Sequence, residues 1–241
     1  MSLFKIIRKK IKSSFFYNII QNYTFKPLYS YSDSFGEDLF VNNYFSDKRS
    51  GFYIDIGCNL PKSNSLTYLL HKKGWRGINI DISERCIKLY NFFRKKDLNL
   101  NIAIGSKSQT VESFIFYENC TMNTVDKVFK KFTTKSVNKK PEIRKIKQKT
   151  LNQVLKERKV SEIDYLNIDV EGYEMKVLQG FDICKYKPSL VSVEIHDENC
   201  PPKKNKIYNF FIKNKFKLVS VYGYTYFFEL TKNKKIHFKI N

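Results

Sequence analysis

The sequence predicts an α/β fold with an open, mostly parallel sheet of seven strands, helices on both faces and an antiparallel hairpin at the C-terminal end. Two observations predict it. Short apolar runs with strand character alternate with segments of helical spacing along most of the chain. Near the C-terminus, Phe216–Val221 and Tyr224–Leu230 alternate around Gly223, which is typical of a hairpin.

The elements before the middle of the chain follow from apolar spacing and capping residues. Ser63 and Ser83 are predicted N-caps, and Gly74 is placed to end a helix as the C′ residue. The predicted helices are Glu37–Phe45, Ser63–Lys73 and the segment after Ser83, and the predicted strands are Phe52–Ile56, Ile78–Ile82, Asn99–Ile104 and Val111–Tyr117.

Residues 120–150 differ in composition from the rest, because lysines and arginines crowd together there. We expect a basic insertion in the form of a mobile loop, either a lid over the site or a solvated loop without a ligand. The elements predicted after it are a helix Leu151–Arg158, a strand Ile163–Val170, a helix Gly172–Gly180, a strand Leu190–His196 and a helix Asn205–Lys213.

The 241 residues carry a formal net charge of +21, from 44 basic and 23 acidic residues. Such a charge favours nucleic acid, an anionic membrane or phosphorylated substrates as partners, although a general compositional bias would also produce it. The five cysteines are widely spaced without a Cys-x-x-Cys pair, so we expect a reducing cytosol rather than disulfides or zinc. No apolar run approaches the ~18 residues of a membrane span.

Residues 1–30 are predicted to be a basic amphipathic extension ahead of a domain at residues 31–241. The first 25 residues contain five basic and no acidic side chains, and their apolar residues have helical spacing. This segment would lie on the inner face of an anionic membrane, pack on its own domain, or join a partner subunit in a homodimer.

The stretch Gly51–Asn59 predicts a ligand site at the carboxyl edge of the sheet. An apolar strand ends at Gly57, a helix follows, and the next strand ends at Asp81, where an acid can accept hydrogen bonds from ribose hydroxyls. The later glycines of Gly-x-Gly-x-x-Gly are missing, which disfavours a dinucleotide. S-adenosylmethionine has no phosphate, so we expect it here, with Asp55 and Gly57 beside its amino-acid tail. A buried, satisfied acid is the alternative for Asp55.

Acids and a histidine follow two later strands at the same predicted edge. Asp169 ends one strand, Glu171 opens the next helix, and His196 ends a further strand. All three are candidate general bases. Glu171 could instead complement the helix dipole, and His196 could be structural. A divalent ion on Asp169 and Glu171 is not required, and we assign no metal.

Several ordered segments together resemble the FkbM family of S-adenosylmethionine-dependent methyltransferases. The resemblance implies a Rossmann-like class I methyltransferase fold, and O-methylation of secondary metabolites or of sugars in surface glycans. It implies the cofactor-binding residues Asp55, Gly57, Asn59, Asp81, Ile82 and Ala103. The segments are Gly51–Asn59, Gly74–Asp81, Asn101–Ile104, Ile168–Gly172 with Val177-Leu178, and Val193-Glu194, and Ser34–Asp38 resembles one bacterial branch of the family.

The sequence departs from the family pattern at Asn59, where a second glycine is usual, and at Asn152, where Asp is common. We expect methyl transfer to a hydroxyl of a sugar or related small molecule in surface-glycan biosynthesis. The basic insertion suggests that this acceptor carries phosphate.

A nucleic-acid, in particular RNA, methyltransferase is the first alternative. The turn of base-methylating enzymes, Asn/Asp-Pro-Pro-aromatic, is replaced by Asp-Val-Glu-Gly, so nucleic acid is not the expected partner. A non-catalytic, membrane-associated assembly protein is the second alternative. The presence of Asp55, Gly57, Asp81 and Asp169 argues against it.

Overall fold

The computed structural model describes residues 14–32, 35–118, 120–196 and 204–231. The strands in this part of the chain are β1 Phe52–Ile56, β2 Arg76–Asp81, β3 Leu98–Asn101, β4 Ala103–Ile104, β5 Gln109–Ile115, β6 Glu142–Lys149, β7 Tyr165–Ile168, β8 Leu190–Glu194, β9 Phe216–Tyr222 and β10 Thr225–Leu230. The helices are α1 Phe15–Thr24, α2 Glu37–Tyr44, α3 Tyr68–Lys72, α4 Glu84–Phe93, α5 Lys127–Ser136, α6 Leu151–Glu157, α7 Glu174–Gln179, α8 Ile183–Tyr186 and α9 Lys206–Lys213.

Seven strands form the main sheet in the order β3-β2-β1-β7-β8-β10-β9. β10 is antiparallel to both of its neighbours, and the other pairs are parallel. The Rossmann-like fold, the seven-stranded sheet and the C-terminal hairpin are thus confirmed. The chain leaves β1 towards β2 on one side and later returns to β7 on the other. The carboxyl end of β1 is therefore the point of the sheet where α/β proteins bind ligands.

Both faces of the main sheet are buried. Successive strand residues point to opposite sides, so one strand contributes side chains to both cores. Ile54 and Ile56 of β1 pack in one core with the strands and helices on that face. Tyr53 points the other way and packs in a second core with Trp75 and Tyr165. Burying each such side chain contributes roughly 1.5–3 kcal/mol. The two cores hold β1 rigidly from both faces, so the turn that follows it has a fixed origin.

A second sheet, in the order β4-β6-β5, corrects three predictions. The predicted strand Asn99–Ile104 is divided between the two sheets, and Val111–Tyr117 contributes to the second sheet as β5. Residues 120–150 are not a mobile loop, because they contain α5 and β6. β6 pairs with β5 over seven residue pairs, from Gln109 with Gln148 to Ile115 with Glu142. This pairing satisfies the backbone groups of a segment that has few apolar side chains.

Two of the predicted capping residues are confirmed and one is wrong. Ser83 caps α4, accepting a hydrogen bond from the Cys86 N–H at 3.3 Å, and Gly74 follows α3 with φ +97°. Ser63 is not a cap, since α3 begins only at Tyr68. In the N-terminal segment, α1 begins after Ser14, and the basic residues before it lie outside the described residues. Among the described helices, none is long and apolar enough to cross a membrane.

Candidate active site

The turn after β1 depends on a glycine at position 57. Gly57 has φ +82°, and a Cβ there would lie 1.6 Å from the carbonyl oxygen of Asp169. The N–H groups of Gly57 and Cys58 donate to the Ile80 carbonyl at 2.8 and 3.2 Å. The carboxyl ends of β1, β2 and β7 are therefore in close contact, and any larger residue would force them apart.

Two side chains of the α4 segment donate hydrogen bonds to carbonyl groups of this turn, and sequence reasoning did not assign them to the site. The Tyr90 hydroxyl donates to the carbonyl oxygens of Cys58 and Leu60 at 2.8 and 3.2 Å. The Arg94 Nε donates to the Pro61 carbonyl at 2.9 Å. Because Arg94 is only 1% exposed, its other hydrogen bonds, to Ser65, Thr67 and Tyr53, are made in a dry environment.

Asp55 does not line the candidate cleft, so the structure gives no support to its predicted contact with the cofactor. Its carboxylate oxygens accept hydrogen bonds from Asn167 Nδ2 at 2.9 Å and Thr67 Oγ1 at 2.7 Å. Burial raises its pKa, and those two hydrogen bonds oppose the rise. Asp55 is the buried, satisfied acid of the alternative interpretation, and it joins β1 to β7 and to the Arg94 network.

A cleft of about 500 Å³ opens beside this turn, at the carboxyl edge of the main sheet. Gly57, Asn59 and Asp81, which we call the glycine corner, form one wall together with Ile82 and Ala103. Five of the six predicted cofactor-binding residues are thus brought together. The opposite wall comes from the residues before α5, which include Cys120, Thr121, Asn123, Thr124 and Val125.

The Asp81 carboxylate is fixed by backbone groups at the edge of the cleft. It accepts hydrogen bonds from the N–H of Asn59 at 2.9 Å and from the N–H of Ser83 at 2.7 Å. Burial nevertheless raises its pKa to about 6. Each carboxylate oxygen retains a further lone pair, so Asp81 can still accept hydrogen bonds from a ligand.

Four side chains lie together near the ends of β7 and β8, and we call them the acid corner: Asp169, Glu171, Glu194 and His196. The sequence predicted three of them, all except Glu194. Asp169 also lines the cleft, and it forms a hydrogen bond with Glu194. Burial, with the neighbouring charges of Glu194 and Glu171, raises the pKa of Asp169 well above its usual range. Its surroundings therefore favour the protonated form of Asp169, in which its hydroxyl donates to Glu194.

His196 lies between two carboxylates of the acid corner. Its Nε2 is 2.9 Å from Glu194 Oε2 and 3.4 Å from Glu171 Oε2. Burial lowers its pKa, but the hydrogen bonds and charges of Glu171 and Glu194 outweigh burial and raise the pKa to about 10. The ring is also packed between Phe129 and Tyr224, with centroids 5.3 Å away in each case. His196 is an imidazolium at neutral pH.

Glu171 is held in an uncommon backbone conformation, with φ +56°. The Thr124 hydroxyl donates to its carbonyl oxygen at 2.8 Å, and Glu174 accepts hydrogen bonds from the N–H groups of Val170 and Gly172. Burial raises the pKa of the Glu171 carboxyl, against the hydrogen bond from His196. Strain of this kind, at roughly 1–3 kcal/mol, is concentrated at functional sites.

The ligand atoms of Glu171, Glu194 and His196 lie within 4.8 Å of one another, so these residues could hold a metal ion. A metal would have to displace the proton of His196, whose pKa is raised to about 10 by the same carboxylates. The two carboxylates already pair with His196, which compensates part of their negative charge.

A comparison with known protein families decides which family the chain belongs to. The family model described as the methyltransferase FkbM domain matches residues 55–226, well over half of the chain. The chain belongs to the FkbM methyltransferase family. No curated protein matches it. This match supports both the methyltransferase class and the fold that the resemblance implied.

In this FkbM methyltransferase, the basic insertion packs beside the acid corner. Phe129 of α5 contacts the His196 ring, and Thr133 of α5 is buried. Three of its basic residues have internal partners, since Arg144 pairs with Glu118 and Glu142 at 2.7 Å, Lys149 pairs with Glu157 at 2.6 Å, and Lys139 donates to the Phe116 carbonyl. Lys127, Lys131 and Lys135 are exposed and recur at every fourth residue of α5, so we call them the lysine stripe.

Glu194 was missed by sequence reasoning, although a signal for it existed. It lies two residues before His196, and side chains at i and i+2 point to the same side of an extended segment. If His196 lies at the carboxyl edge, Glu194 must lie beside it. Glu174, whose pKa burial raises to about 7, gave no comparable signal, because an acid in the first turn of a helix has an ordinary structural role.

Proposed function

We propose that this methyltransferase uses S-adenosylmethionine to methylate a hydroxyl group of a phosphate-bearing sugar or related small molecule, in the biosynthesis of surface glycans. The observation that carries the proposal is the cleft lined by the Gly57 turn, by Asp81 and by Asp169, which also belongs to the acid corner. A cofactor and an acceptor would then meet at Asp169, which belongs to both regions.

The residues of the cleft fit this cofactor. Asp81 offers free lone pairs to the ribose hydroxyls, and Ile82 and Ala103 offer apolar surface to a flat base. When bound, the cofactor supplies an electrophilic methyl group. Asp81 and the Gly57 turn orient it, and orientation can account for much of the rate.

The charge states of the acid corner identify the general base that we propose. Burial and the neighbouring carboxylates favour the protonated form of Asp169, and His196, with its pKa raised to about 10, is an imidazolium, so both are poor proton acceptors. Glu194 accepts hydrogen bonds from both and has a lowered pKa, despite its burial. Glu171 has a raised pKa, which makes it the stronger base. Glu171 would accept the hydroxyl proton, and the imidazolium of His196 would stabilise the charges nearby.

The charges of the acid corner also indicate which class of acceptor molecule the site would bind. Asp169, Glu171, Glu174 and Glu194 lie together, and this grouping disfavours a polyanionic RNA backbone at the reacting atoms. The exposed lysine stripe of α5 offers point charges to a phosphate farther from the chemistry. A sugar with a phosphate at one end and a hydroxyl at the other matches this separation of charges better than a nucleic acid does.

Calorimetry tests the cofactor assignment. Asp81→Ala removes hydrogen bonds worth roughly 1.5–3 kcal/mol each, so we expect an affinity loss of about tenfold or more. Asp47→Ala, at an exposed aspartate, is the matched control and should bind as the wild type does. An unchanged affinity in a folded Asp81→Ala protein would contradict the assignment.

Transfer of a labelled methyl group tests the acceptor. Nucleotide-linked and lipid-linked sugars are offered together with total RNA, and we expect label only in the sugars. Reversing Lys127, Lys131 and Lys135 to Glu should raise the acceptor KM and leave cofactor affinity unchanged. The control reverses the exposed Lys95, Lys96 and Lys156. Equal KM values for the two triple variants would reject the phosphate-binding role, and label in RNA would reject the sugar.

A further inference from the structure

Helix α1 exposes apolar side chains on one face and buries two asparagines on the opposite face. Phe16, Ile20 and Tyr23 are 74%, 51% and 77% exposed, and their spacing places them on one face of the helix. Asn18 and Asn22, on the opposite face, are only 2% and 4% exposed. The helix of an ordinary water-facing surface has the reverse arrangement.

The buried face is a built feature of the fold. Ser14 caps the helix, the Asn18 amide donates to the Ser14 carbonyl at 3.0 Å, and the Asn22 amide donates to the Asn18 carbonyl at 2.9 Å. The Lys62 ammonium donates to the Tyr23 carbonyl at 3.3 Å. The asparagine bonds stabilise the helix itself, whereas the Lys62 bond and the packing of α1 against α4 connect it to the domain, with Phe16, Ile20 and Tyr23 on the outward face.

The apolar surface continues beyond the end of the helix. Leu28, Tyr29 and Phe35 are all largely exposed, and they line a shallow hollow with Phe25, the C-cap of α1. We call these four residues and the three exposed side chains of α1 the apolar platform. Exposed apolar residues in such number, on a helix and on the segment that follows it, are typical of a contact with a membrane or another protein.

Positive charge surrounds the apolar platform. Lys26 and Lys72 lie near Lys62, and both lower its pKa, in addition to the effect of its burial. In the sequence, the first 32 residues contain six basic residues and no Asp or Glu. Exposed aromatic and aliphatic side chains with lysines around them are complementary to an anionic lipid surface, where the rings lie at the level of the headgroups.

We infer that the apolar platform docks on the surface of an anionic lipid bilayer. The contact is peripheral, with α1 lying in the plane of the interface. A protein surface would also accept apolar residues, but an acid-free segment with a basic rim favours anionic lipid. The inference does not depend on the proposed activity.

Vesicle co-sedimentation of the full chain tests it. We expect binding to vesicles of phosphatidylcholine with phosphatidylserine, and much weaker binding to phosphatidylcholine alone. Phe16→Ser, Ile20→Ser and Tyr23→Ser together should lower the partition coefficient at least tenfold. The control carries Phe92→Ser, Ile212→Ser and Val221→Ser, at three partly exposed apolar residues elsewhere, and should bind as the wild type does. Circular dichroism verifies that both variants are folded.

The basic rim has a separate signature. Lys26→Gln and Lys72→Gln should each weaken binding to anionic vesicles about fivefold, and added salt should reduce the effect. Equal binding by the two serine variants, or no binding to anionic vesicles, would overturn the inference. Sedimentation velocity without lipid tests whether the platform binds a second copy of the chain instead. That would be the result if the protein did not bind vesicles and formed a dimer that only the Phe16, Ile20 and Tyr23 substitutions dissociated.

Discussion

The glycine corner and the acid corner lie at the same edge of one sheet, yet they are built by different means. Gly57 holds its corner through close backbone contact, with the Asp169 carbonyl where a Cβ would be. The acid corner depends on a hydrogen bond between Asp169 and Glu194 and an ion pair between Glu194 and His196, with side chains that come from two strand ends. One corner is fixed by steric exclusion, and the other is fixed by charge.

This difference has a physical consequence. Steric exclusion does not change with pH or salt, but a single added methyl group destroys it. A charge cluster tolerates changes of shape at its exposed side, but it reorganises when one proton is gained or lost. A methyltransferase benefits from both properties. A cofactor common to many reactions needs a fixed cradle, whereas removal of a proton from an acceptor needs groups that titrate.

The largest effect should come from adding one carbon to the glycine corner. Gly57→Ala places a Cβ 1.6 Å from the Asp169 carbonyl oxygen at a residue with φ +82°. The clash and the left-handed conformation together should lower the free energy of unfolding by about 3–5 kcal/mol, measured by urea denaturation.

Gly74→Ala is the matched control, because Gly74 also has positive φ, +97°, but no atom lies within 4 Å of its added Cβ. It should lose only the roughly 1–2 kcal/mol of the left-handed conformation. Equal losses in the two variants would show that close packing at Gly57 contributes nothing.

The main sheet was predictable because its strands have a local signature. Ile54, Ile56, Ile78 and Ile80 belong to short β-branched runs that are buried on both faces. The second sheet lacked that signature. One inward position of β6 is occupied by a polar residue, Gln148, which is buried and donates to the Lys107 carbonyl. The pairing of β6 with β5 is also distant in sequence, since Ser113 pairs with Arg144, more than thirty residues later in the chain.

The next effect concerns the pH dependence of cofactor affinity. Burial raises the pKa of Asp81 to about 6, and only the ionised carboxylate keeps all of its acceptor sites. Affinity should therefore be constant above about pH 7 and should fall towards tenfold per pH unit below pH 6, measured by calorimetry.

Asp81→Asn isolates this ionisation from that of Glu174, a residue beside the acid corner whose pKa burial raises to about 7. The variant should bind more weakly at neutral pH, and its affinity should not show the same fall in acid. A parallel decline in the wild type and the variant would assign the pH dependence to the acid corner instead.

A smaller effect, on stability, is expected from the acid corner. His196→Gln removes an imidazolium paired with Glu171 and Glu194, at a cost of about 1–2 kcal/mol at pH 6. The folded-state pKa of about 10 lies above the unfolded value of 6.5. The stabilisation is therefore fully present below 6.5, declines above it and is lost as the pH rises through 10.

Urea unfolding of both proteins across this range provides the measurement. The difference in unfolding free energy between wild type and variant should shrink steadily with pH. A constant difference would mean that His196 stabilises the corner by packing against Phe129 and Tyr224 rather than by charge.

The candidate site was predictable where one short segment contained the whole signal. A strand, a glycine and an acid at the end of the next strand indicated Gly57 and Asp81. Tyr90 and Arg94 gave no such signal, because their roles come from contacts with carbonyl groups about thirty residues earlier in the chain. Polar side chains that support a turn from a separate helix cannot be recognised until the packing of that helix is known.

The smallest effect tests the departure from the family pattern at Asn59. The residue has φ +48°, a conformation that asparagine tolerates better than most residues, and only its backbone N–H is used in the hydrogen bond to Asp81. Asn59→Gly should therefore change unfolding free energy by no more than about 0.5 kcal/mol and leave cofactor affinity as it is. Asn59→Val, with a branched side chain at positive φ, should cost about 1–2 kcal/mol. If the glycine variant lost cofactor affinity instead, the Asn59 side chain would itself contact the ligand, and the glycine corner would bind through a side chain that the family pattern lacks.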